Sequence, residues 1–406
     1  MYDLLAGMRV VEAAAFVAGP SCALHLAQFG AEVIRIDPIG GGPDFHRWPI
    51  SPDNGSSLYW EGLNKSKKSV ALDLSRPEGR DLAARIITAP GNESGLFVTN
   101  YPVDGFLGYD LLAARRSDLI CVRIMGWPDG RAAVDYTVNA SVGLPEMTGP
   151  ADSRQPVNHV LPAWDLLAGA YAAFALVSAE RARRADHRGR EIRVPLSDIA
   201  IASLGHLGQI GEVQITGRNR ERVGNELYGA FGRDFLTRDG KRLMVVAITA
   251  RQWTGLVAAL QLEEKVGALE TELKVRFAEN EGARFQHRDR LMPLLEDTIA
   301  RVDAAPLTAA FQARSVCWGP YQSLHEAVHN DSYFSSANPI LSETEHPSGH
   351  RYLAAGSAAT IPRDVRRPPL AAPTLGRDTE SVLSDLLGLS AAEIAALQDV
   401  GLVANA

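Results

Sequence analysis

The fold class follows from residues 8–37, which read MRVVEAAAFVAGPSCALHLAQFGAEVIRID. A short apolar run predicts a strand at residues 8–11, and residues 22–29 have the composition of a helix. Pro20 suits the first turn of that helix because its φ angle is already fixed near the helical value. Residues 32–37 alternate polar and apolar side chains, which is the strand period. The stretch therefore predicts a β–α–β unit whose right-handed crossover leads onto a parallel sheet.

Further strands alternate with helices along the first half of the chain. The segments that predict strands are residues 67–74, 95–100, 119–124 and 191–196. A long helix is predicted from Leu166 to about Arg184, because apolar side chains recur there near the helical period. This alternation is typical of a layered α/β domain. In such domains ligands usually bind at the carboxyl ends of the parallel strands.

Composition excludes several classes of protein. The chain has 406 residues, of which 46% are hydrophobic and 22% charged, as in ordinary globular domains. It has 41 Lys and Arg against 48 Asp and Glu, so its formal net charge is −7. Broad binding to nucleic acid or to an anionic membrane needs a basic surface. We therefore expect neither nucleic acid nor a membrane among the partners.

The cysteines and the apolar runs indicate where the protein resides. Cys22, Cys121 and Cys317 lie far apart, and no CxxC motif is present, which favours a reducing compartment. No run of about 18 apolar residues predicts a membrane span. The first seven residues contain no basic segment of the kind that opens a secretory signal. We expect a cytoplasmic protein.

One motif points to a metal. Residues 325–329 read HEAVH, which matches the HExxH signature of zinc hydrolases. On a helix, His325 and His329 would share a face, and His346 or His350 could supply a third ligand. The motif fixes only three positions, and Asn330-Asp331 suggests that the helix stops at once. Because chance matches of this length are common, we expect no metal site.

Asp165 allows two interpretations. Trp164, Leu166 and Leu167 surround it with apolar side chains, which would raise the pKa of its carboxyl group unless it is hydrogen-bonded. A carboxylate at the start of a helix can instead cap the free N–H groups of the first turn. The residues alone favour the capping role.

Several separated segments resemble the class III CoA-transferase family. They read LAGMRVVE, AGP, GAEVIRID, SLY, KKSVALDL, RGREIRV and TLGRDT, at residues 5–12, 18–20, 30–37, 57–59, 67–74, 188–194 and 374–379. The segments follow one another in the family's order over nearly the whole chain. The resemblance therefore does not depend on any single motif.

The resemblance implies a fold and an assembly. The family has a large Rossmann-like parallel-sheet domain built from both chain ends, plus a smaller α/β middle domain. On this chain we expect the large CoA-binding domain at residues 1–205 and 330–406 and the small domain at 233–329. Residues 206–232, rich in Gly, Asn and Arg, would be the linker. Two such chains interlock in the family, so a homodimer is implied.

The family also implies a chemistry for Asp165. The family's catalytic aspartate starts a helix after a Gly- and Pro-rich segment, and Asp165 stands at that position. It would attack an acyl-CoA thioester to form a mixed anhydride, which the CoA thiolate converts to an aspartyl-CoA thioester. No cofactor is implied besides the CoA of the substrate. Acyl-CoA racemases in the family have a His before an Asp where this chain has Val134-Asp135, which favours CoA transfer over racemisation.

A subgroup resemblance narrows the substrate. Residues 224–235, GNELYGAFGRDF, resemble the family members that move CoA between the two carboxyls of mesaconate, a C5 dicarboxylic acid. Ala15 and Val17 replace a His and a Gln of the oxalate-type transferases, and the small side chains of residues 13–15 leave room for a diacid. The resemblance implies that CoA and substrate are bound by Ala15, Val17, Arg35, Leu72, Asn100, Tyr101 and Met125. The alternatives are an intermolecular transferase, a racemase, and a CoA-binding protein without catalysis.

Overall fold

The β–α–β unit is present at the start of the chain. Strand β1 spans Arg9–Ala13, helix α1 spans Ala18–Gln28, and strand β2 spans Glu32–Pro38. The structure is a computed structural model that describes residues 1–405. Gly30, just after α1, has a φ of 102°, a left-handed conformation that lets the chain turn back into β2.

The four strands that follow β2 are separated by helices, as the sequence predicts for the first half of the chain, whereas the second half contains consecutive helices and consecutive strands. The other strands are β3 (Lys68–Leu72), β4 (Leu96–Thr99), β5 (Ile120–Met125), β6 (Arg190–Pro195), β7 (Phe231–Leu236), β8 (Arg242–Ala247), β9 (Cys317–Pro320), β10 (Leu341–Glu345), β11 (Arg351–Ala355) and β12 (Val403–Ala404). The other helices are α2 (Leu58–Asn64), α3 (Pro77–Ile87), α4 (Tyr109–Ala113), α5 (Asp135–Ser141), α6 (Leu144–Met147), α7 (Ala163–Asp186), α8 (Leu196–His206), α9 (Gln209–Thr216), α10 (Ala250–Ala259), α11 (Glu263–Leu273), α12 (Glu281–Gln286), α13 (Arg288–Ile299), α14 (Ala304–Ala313), α15 (Leu324–Asn330), α16 (Thr379–Leu387) and α17 (Ala391–Asp399). A 3-10 turn spans Ser332–Phe334.

The chain divides into two units. The larger comprises Met1–Val142, His159–Thr216 and the chain from Ser332 onward, and the smaller comprises Gly143–Asn158 and Gly217–Asp331. The boundaries differ from those predicted at the linker, because α8 and α9 extend the larger unit to Thr216. Gly208, with a φ of 74°, lies between these two helices and interrupts the helical period, so the sequence pattern did not predict them.

The larger unit is built on a seven-stranded sheet in the order β12-β3-β2-β1-β4-β5-β6. All its neighbouring strands are parallel except the β12–β3 pair. Strands β4 and β5 are buried along almost their whole length, so both faces of the sheet are covered. A separate antiparallel hairpin joins β10 to β11. The predicted α/β class with a parallel sheet is confirmed.

The smaller unit has a different sheet. Strands β7, β8 and β9 pair antiparallel in that order. Its core contains large buried side chains from both the sheet and the helices, among them Phe231, Trp253, Phe277, Leu291 and Phe311. Arg222 of this unit donates to the main-chain oxygens of Glu146, Ser153 and Gln155, which ties the short segment 143–158 to it.

Polar side chains on the central strands form a buried ion network. Arg35 on β2 donates to Asp37 at 2.7 Å, to Glu12 at 3.0 Å and to Asp44 at 3.3 Å. Lys67 donates to Glu12 at 2.7 Å. Burial alone would lower the pKa of Arg35, but the surrounding carboxylates raise it above its ordinary value. These cations therefore neutralise carboxylates that are cut off from solvent.

Removing Arg35 should destabilise the protein strongly. In Arg35→Met, the carboxylates of Glu12, Asp37 and Asp44 lose their shared cation, so we expect the free energy of unfolding to fall by about 3–5 kcal/mol. Urea denaturation measures this. Arg115→Met is the control, because the Arg115–Asp81 pair is half exposed and is expected to contribute no more than about 1 kcal/mol. Equal losses in the two variants would contradict the prediction.

The described residues contain neither a membrane-spanning helix nor a disulfide bond. No helix between residues 1 and 405 combines the length and apolar character needed to cross a membrane. Cys22 and Cys121 are buried, Cys317 is exposed, and all three thiols are free.

Candidate active site

A cavity of about 810 Å³ opens at the carboxyl ends of β1, β4 and β5 in the larger unit. Loops that follow these three strands line it, together with Asp165 from the first turn of α7. The sequence-predicted site residues that meet here are Ala15, Val17, Asn100, Tyr101, Met125 and Asp165. The location agrees with the rule that parallel sheets bind ligands at the carboxyl ends of their strands.

Hydrogen bonds hold the loop between β1 and α1 at one wall of the cavity. The Asn100 side chain accepts from the Ala15 N–H at 3.2 Å and donates to the Ala15 carbonyl at 3.0 Å. Asp44 accepts from the Phe16 N–H at 3.1 Å. Phe16 has a φ of 71°, which is uncommon for a residue with a side chain. Asn100 therefore shapes this wall rather than leaving its amide group free for a ligand.

Arg123 holds the opposite loop and was missed by sequence reasoning. Its guanidinium is fully buried, pairs with Glu191 at 2.8 Å and donates to the carbonyl oxygens of Tyr101 at 2.7 Å and Leu107 at 2.9 Å. In the sequence Arg123 is only a charged residue within the apolar segment of β5, and this pattern does not predict its role. Arg123 fixes the loop that carries Tyr101 into the cavity.

Close packing of two helices places Asp165. A Cβ atom added at Gly169 of α7 would lie 2.0 Å from the Ser21 Oγ and 2.8 Å from the Ala18 carbonyl oxygen, both on α1. Only glycine fits there, so α7 approaches α1 within one helical turn of Asp165. Asp165 consequently lines the same cavity as Val17 and Ala18 at the start of α1.

Asp165 does not cap its own helix. The N-terminal cap residue, Pro162, offers no side-chain acceptor. Asp135 of α5 accepts instead, with Oδ2 at 2.6 Å from the Trp164 nitrogen and 3.1 Å from the Asp165 nitrogen. Within residues 1–405, no hydrogen bond to the Asp165 carboxylate is present. The capping role that the residues alone favoured is therefore wrong, and the carboxylate is available to a ligand.

The surroundings of Asp165 disfavour its charge. Burial and then the neighbouring Asp135 carboxylate raise the pKa of Asp165 to about 6, and Arg47 opposes them. Such a shift in a cavity is typical of carboxyl groups with a chemical role, although ion networks also produce it. Combined with the free carboxylate oxygens, it makes Asp165 the best candidate for a nucleophile in the cavity.

Arg47 and Tyr59 form a polar corner beside Asp165 that the sequence did not reveal. The Arg47 guanidinium lies 5.5 Å from the Phe16 ring centre and 5.4 Å from the Tyr59 ring centre. It has no carboxylate partner within the described chain. The Tyr59 hydroxyl is buried without a hydrogen-bond partner, and burial raises the pKa of Tyr59 to about 12. An exposed cation without a carboxylate partner and a buried hydroxyl without a hydrogen bond thus lie near the candidate nucleophile.

Two predicted CoA-binding residues lie outside the cavity. The side chain of Arg35 is buried in the ion network, and Leu72 is 0% exposed within the sheet core. Both lie on strands covered on each face, so neither side chain reaches this cavity. Ala13 and Ala14, expected to leave room for substrate, are also buried, and only Ala15 of this trio lines the cavity.

The HExxH segment has another role. Glu326 accepts from the Ser323 N–H at 2.7 Å and its hydroxyl at 2.9 Å, which makes a capping box at the start of α15. The rings of His325 and His329 stack with their centres 4.2 Å apart. Among the described residues no group of three or more His, Cys, Asp or Glu side chains is arranged to hold a metal.

Residues 5–379 match CoA-transferase family III. The chain belongs to this family. The family III transferases are enzymes, and this chain is an enzyme of that kind. Val134, where racemases of the family have a histidine, lines the cavity and offers no ionisable group.

This family III chain is similar to two characterised enzymes and to one solved structure. It is 46% identical over 405 residues to "2-methylfumaryl-CoA isomerase" of Chloroflexus aurantiacus, covering 100% of this chain and 99% of the relative. It is 28% identical to "Succinyl-CoA--D-citramalate CoA-transferase" of the same organism, covering 96% of each. A CaiB/BaiF family protein from Brucella suis shares the fold, with a TM-score of 0.76, 24% identity and coverage of 95% of this chain and 100% of that one.

Proposed function

We propose that the protein is an intramolecular CoA transferase that converts mesaconyl-C1-CoA to mesaconyl-C4-CoA. The observation that carries the proposal is the Asp165 carboxylate, which faces the cavity with no hydrogen bond while Asp135 caps its helix. The 46% identity to a 2-methylfumaryl-CoA isomerase supports this choice of substrate. The chemistry uses CoA only as part of the substrate.

The first half of the reaction transfers the acyl group to the enzyme. One Asp165 oxygen attacks the thioester carbon, the C–S bond breaks, and CoA leaves as a thiolate. The product is a mixed anhydride between Asp165 and the C1 carboxyl. The thiolate then attacks the Asp165 carboxyl carbon, and the anhydride C–O bond on that side breaks. This step leaves an aspartyl-CoA thioester and free mesaconate.

The second half runs the same steps at the other carboxyl. The C4 carboxylate attacks the aspartyl thioester carbon and expels the CoA thiolate, forming the second anhydride. The thiolate attacks the C4 carbonyl carbon, and the Asp165 carboxylate is released. No net proton or electron is exchanged with solvent. Water must be kept from the anhydrides, since hydrolysis would end the cycle.

The start of α1 supports charge development in these steps. Each attack places negative charge on a carbonyl oxygen, which main-chain N–H groups can stabilise. Val17, the N-terminal cap of α1, makes no side-chain capping hydrogen bond, and Ala18 lines the same cavity as Asp165. The N–H groups of this first turn are therefore candidates for binding the oxyanion.

Arg47 and Tyr59 support a dicarboxylate substrate. During the first half-reaction the C4 carboxylate is a free anion near Asp165 and needs a counter-charge. The unpaired Arg47 guanidinium can supply it, and the Tyr59 hydroxyl can donate a hydrogen bond. The same corner would keep free mesaconate in place while its two carboxyls exchange positions.

An isotope experiment tests the proposal. The protein is incubated with unlabelled mesaconyl-C1-CoA and an excess of ¹³C-labelled free mesaconate, and the products are separated by chromatography. We expect unlabelled mesaconyl-C4-CoA, because the released diacid does not leave the site. Labelled product would instead support an intermolecular transferase. Incorporation of solvent deuterium at an α-carbon would support a racemase.

The proposed enzyme is a homodimer, as the family resemblance implies. Leu167, Tyr171 and Phe174 lie on one exposed face of α7, with 44%, 53% and 67% of each residue's surface accessible. Their spacing places them on the same side of the helix. A second copy of the chain would remove this apolar face from water. The dimer and a cytoplasmic location stay predictions.

A further inference from the structure

The N–H groups in the first turn of α7 are capped by a side chain from another helix. The four N–H groups at the start of any helix lack acceptors within the helix, and a nearby side chain usually supplies one. In α7 that side chain comes from α5, about 30 residues earlier in the chain. Asp135 is 1% exposed and binds the nitrogens of both Trp164 and Asp165 through one oxygen. The residue that fixes the candidate nucleophile is therefore not on its own helix.

A histidine binds the other oxygen of the same carboxylate. His159 Nε2 lies 2.5 Å from Asp135 Oδ1. An ionised carboxylate only accepts hydrogen bonds, so the proton is on His159 Nε2. His159 precedes α7 by four residues. The Asp135 carboxylate therefore links the His159 side chain to the main-chain nitrogen of Asp165. Oδ1 of Asp135 thus binds His159, whereas Oδ2 binds the first turn of α7.

We propose that Asp135 and His159 form a positioning pair for Asp165. His159 fixes the orientation of the Asp135 carboxylate, and Asp135 fixes the first turn of α7 so that the Asp165 side chain faces the cavity. The inference rests on the proposed role of Asp165 as nucleophile. Neither member of the pair touches the reacting atoms.

The charge of Asp135 adds an electrostatic effect. Attack by Asp165 on a thioester removes the negative charge of its own carboxylate. A buried anion beside it therefore favours the covalent intermediate over the ionised starting state. The groups that interact electrostatically with Asp165 are Asp135 from α5, Arg47 from the loop after β2 and Tyr59 from α2. Other charged residues line the same cavity, namely Asp104, Arg123, Asp129, Arg131 and Arg193. Asp135 and Arg47 act on its pKa in opposite directions.

Other contacts hold this region together, so variants of the pair should fold. The Tyr136 hydroxyl donates to the Val160 carbonyl at 3.3 Å, and the Trp164 ring nitrogen donates to Asn139 at 3.2 Å. The first bond joins α5 to the segment before α7, the second joins α5 to the first turn of α7, and neither uses the pair. The effect of the pair on catalysis can therefore be separated from its effect on folding.

Three variants separate geometry from charge. His159→Leu removes the hydrogen bond to Asp135, and we expect kcat to fall about 100-fold with little change in KM. His159→Gln keeps a donor at a similar reach and should restore most of the activity. Asp135→Asn keeps an acceptor for α7 but removes the charge, and we expect kcat to fall about tenfold. The acid limb of its kcat/KM profile should move to lower pH, because the pKa of Asp165 loses the upward influence of a neighbouring anion.

The control is Asp81→Asn, which removes a half-exposed carboxylate outside the cavity. Each variant is also mixed with an acyl-CoA, and the rate of covalent labelling at Asp165 is followed by mass spectrometry of the digested protein. Wild-type labelling rates in His159→Leu, or an unmoved acid limb in Asp135→Asn, would overturn the proposal. Absence of labelling in the wild type would instead refute Asp165 as the nucleophile.

Discussion

Asp165→Asn should lose CoA transfer by at least about 10⁴-fold while still binding CoA. The amide has the same shape but no nucleophilic carboxylate, so neither the anhydride nor the aspartyl thioester can form. Mesaconyl-C1-CoA, incubated with the variant and analysed by chromatography, measures the loss. Equilibrium binding of CoA measures what is kept. Asp186→Asn, at the exposed far end of the same helix, is the matched control.

The same substitution should make the protein more stable at neutral pH. In the folded state the pKa of Asp165 is raised from an ordinary 3.8 to about 6, by burial and by Asp135. Folding therefore favours the protonated form, and ionisation destabilises the folded state. The penalty is absent below pH 3.8, grows as the pH rises, and is complete above about 6.

Unfolding curves of the variant and the wild type, measured at several pH values, test whether Asp165→Asn raises the free energy of unfolding. We expect Asp165→Asn to exceed the wild type by up to about 3 kcal/mol at pH 7.5, with the difference shrinking toward pH 4.5. A variant that is less stable than the wild type at pH 7.5 would show that the carboxylate is not strained in the folded protein. Retained turnover would refute Asp165 as the nucleophile, whatever the stability result.

Arg47→Gln should lower kcat/KM for mesaconyl-CoA by about 100-fold, or about 3 kcal/mol. Without the guanidinium, the free C4 carboxylate enters a partly buried corner that lacks a counter-charge. An acyl-CoA with no second carboxyl does not need this cation. The rate of covalent labelling of Asp165 by such a substrate should therefore change little. The ratio of the two effects, rather than either alone, measures selection for a diacid.

Two further arginine variants sharpen this test. Arg47→Lys keeps the charge but not the planar group that stacks between two rings, so an intermediate loss is expected. Arg80→Gln is the control, because Arg80 also lies over a ring, that of Phe106, but is not among the charges that act on the pKa of Asp165. Equal losses with both kinds of acyl-CoA in Arg47→Gln would make Arg47 a structural residue.

The order of strands and helices could be predicted because it depends on local patterns. Apolar runs and the helical period located β1, α1, β2 and α7 within a few residues. The alternation in β2 located the strand but did not reveal the surroundings of its polar side chains, because alternating polar residues are also typical of a strand with one solvent-facing side. Here both faces are covered, and Arg35 is neutralised by carboxylates from β1 and from the loop after β2. A pairing between distant segments leaves no trace in one sequence.

The candidate site shows the same limit. The family resemblance identified Asp165, and strand ends indicated Asn100, Tyr101 and Met125. The partners that decide how Asp165 behaves come from elsewhere in the chain: Asp135 is 30 positions away, and Arg47 lies in a loop with no periodic pattern. His159 follows a stretch that belongs to the smaller unit, so its contact with Asp135 has no sequence signal.

The double hydrogen bond between Asn100 and Ala15, with the bond from Phe16 to Asp44, has a consequence for binding thermodynamics. Three main-chain groups of one loop are ordered before any ligand arrives. The conformational entropy of this wall is therefore lost during folding and not during association. Affinity for a small acyl group can then arise from few contacts, because little of the binding energy is consumed in ordering the receptor.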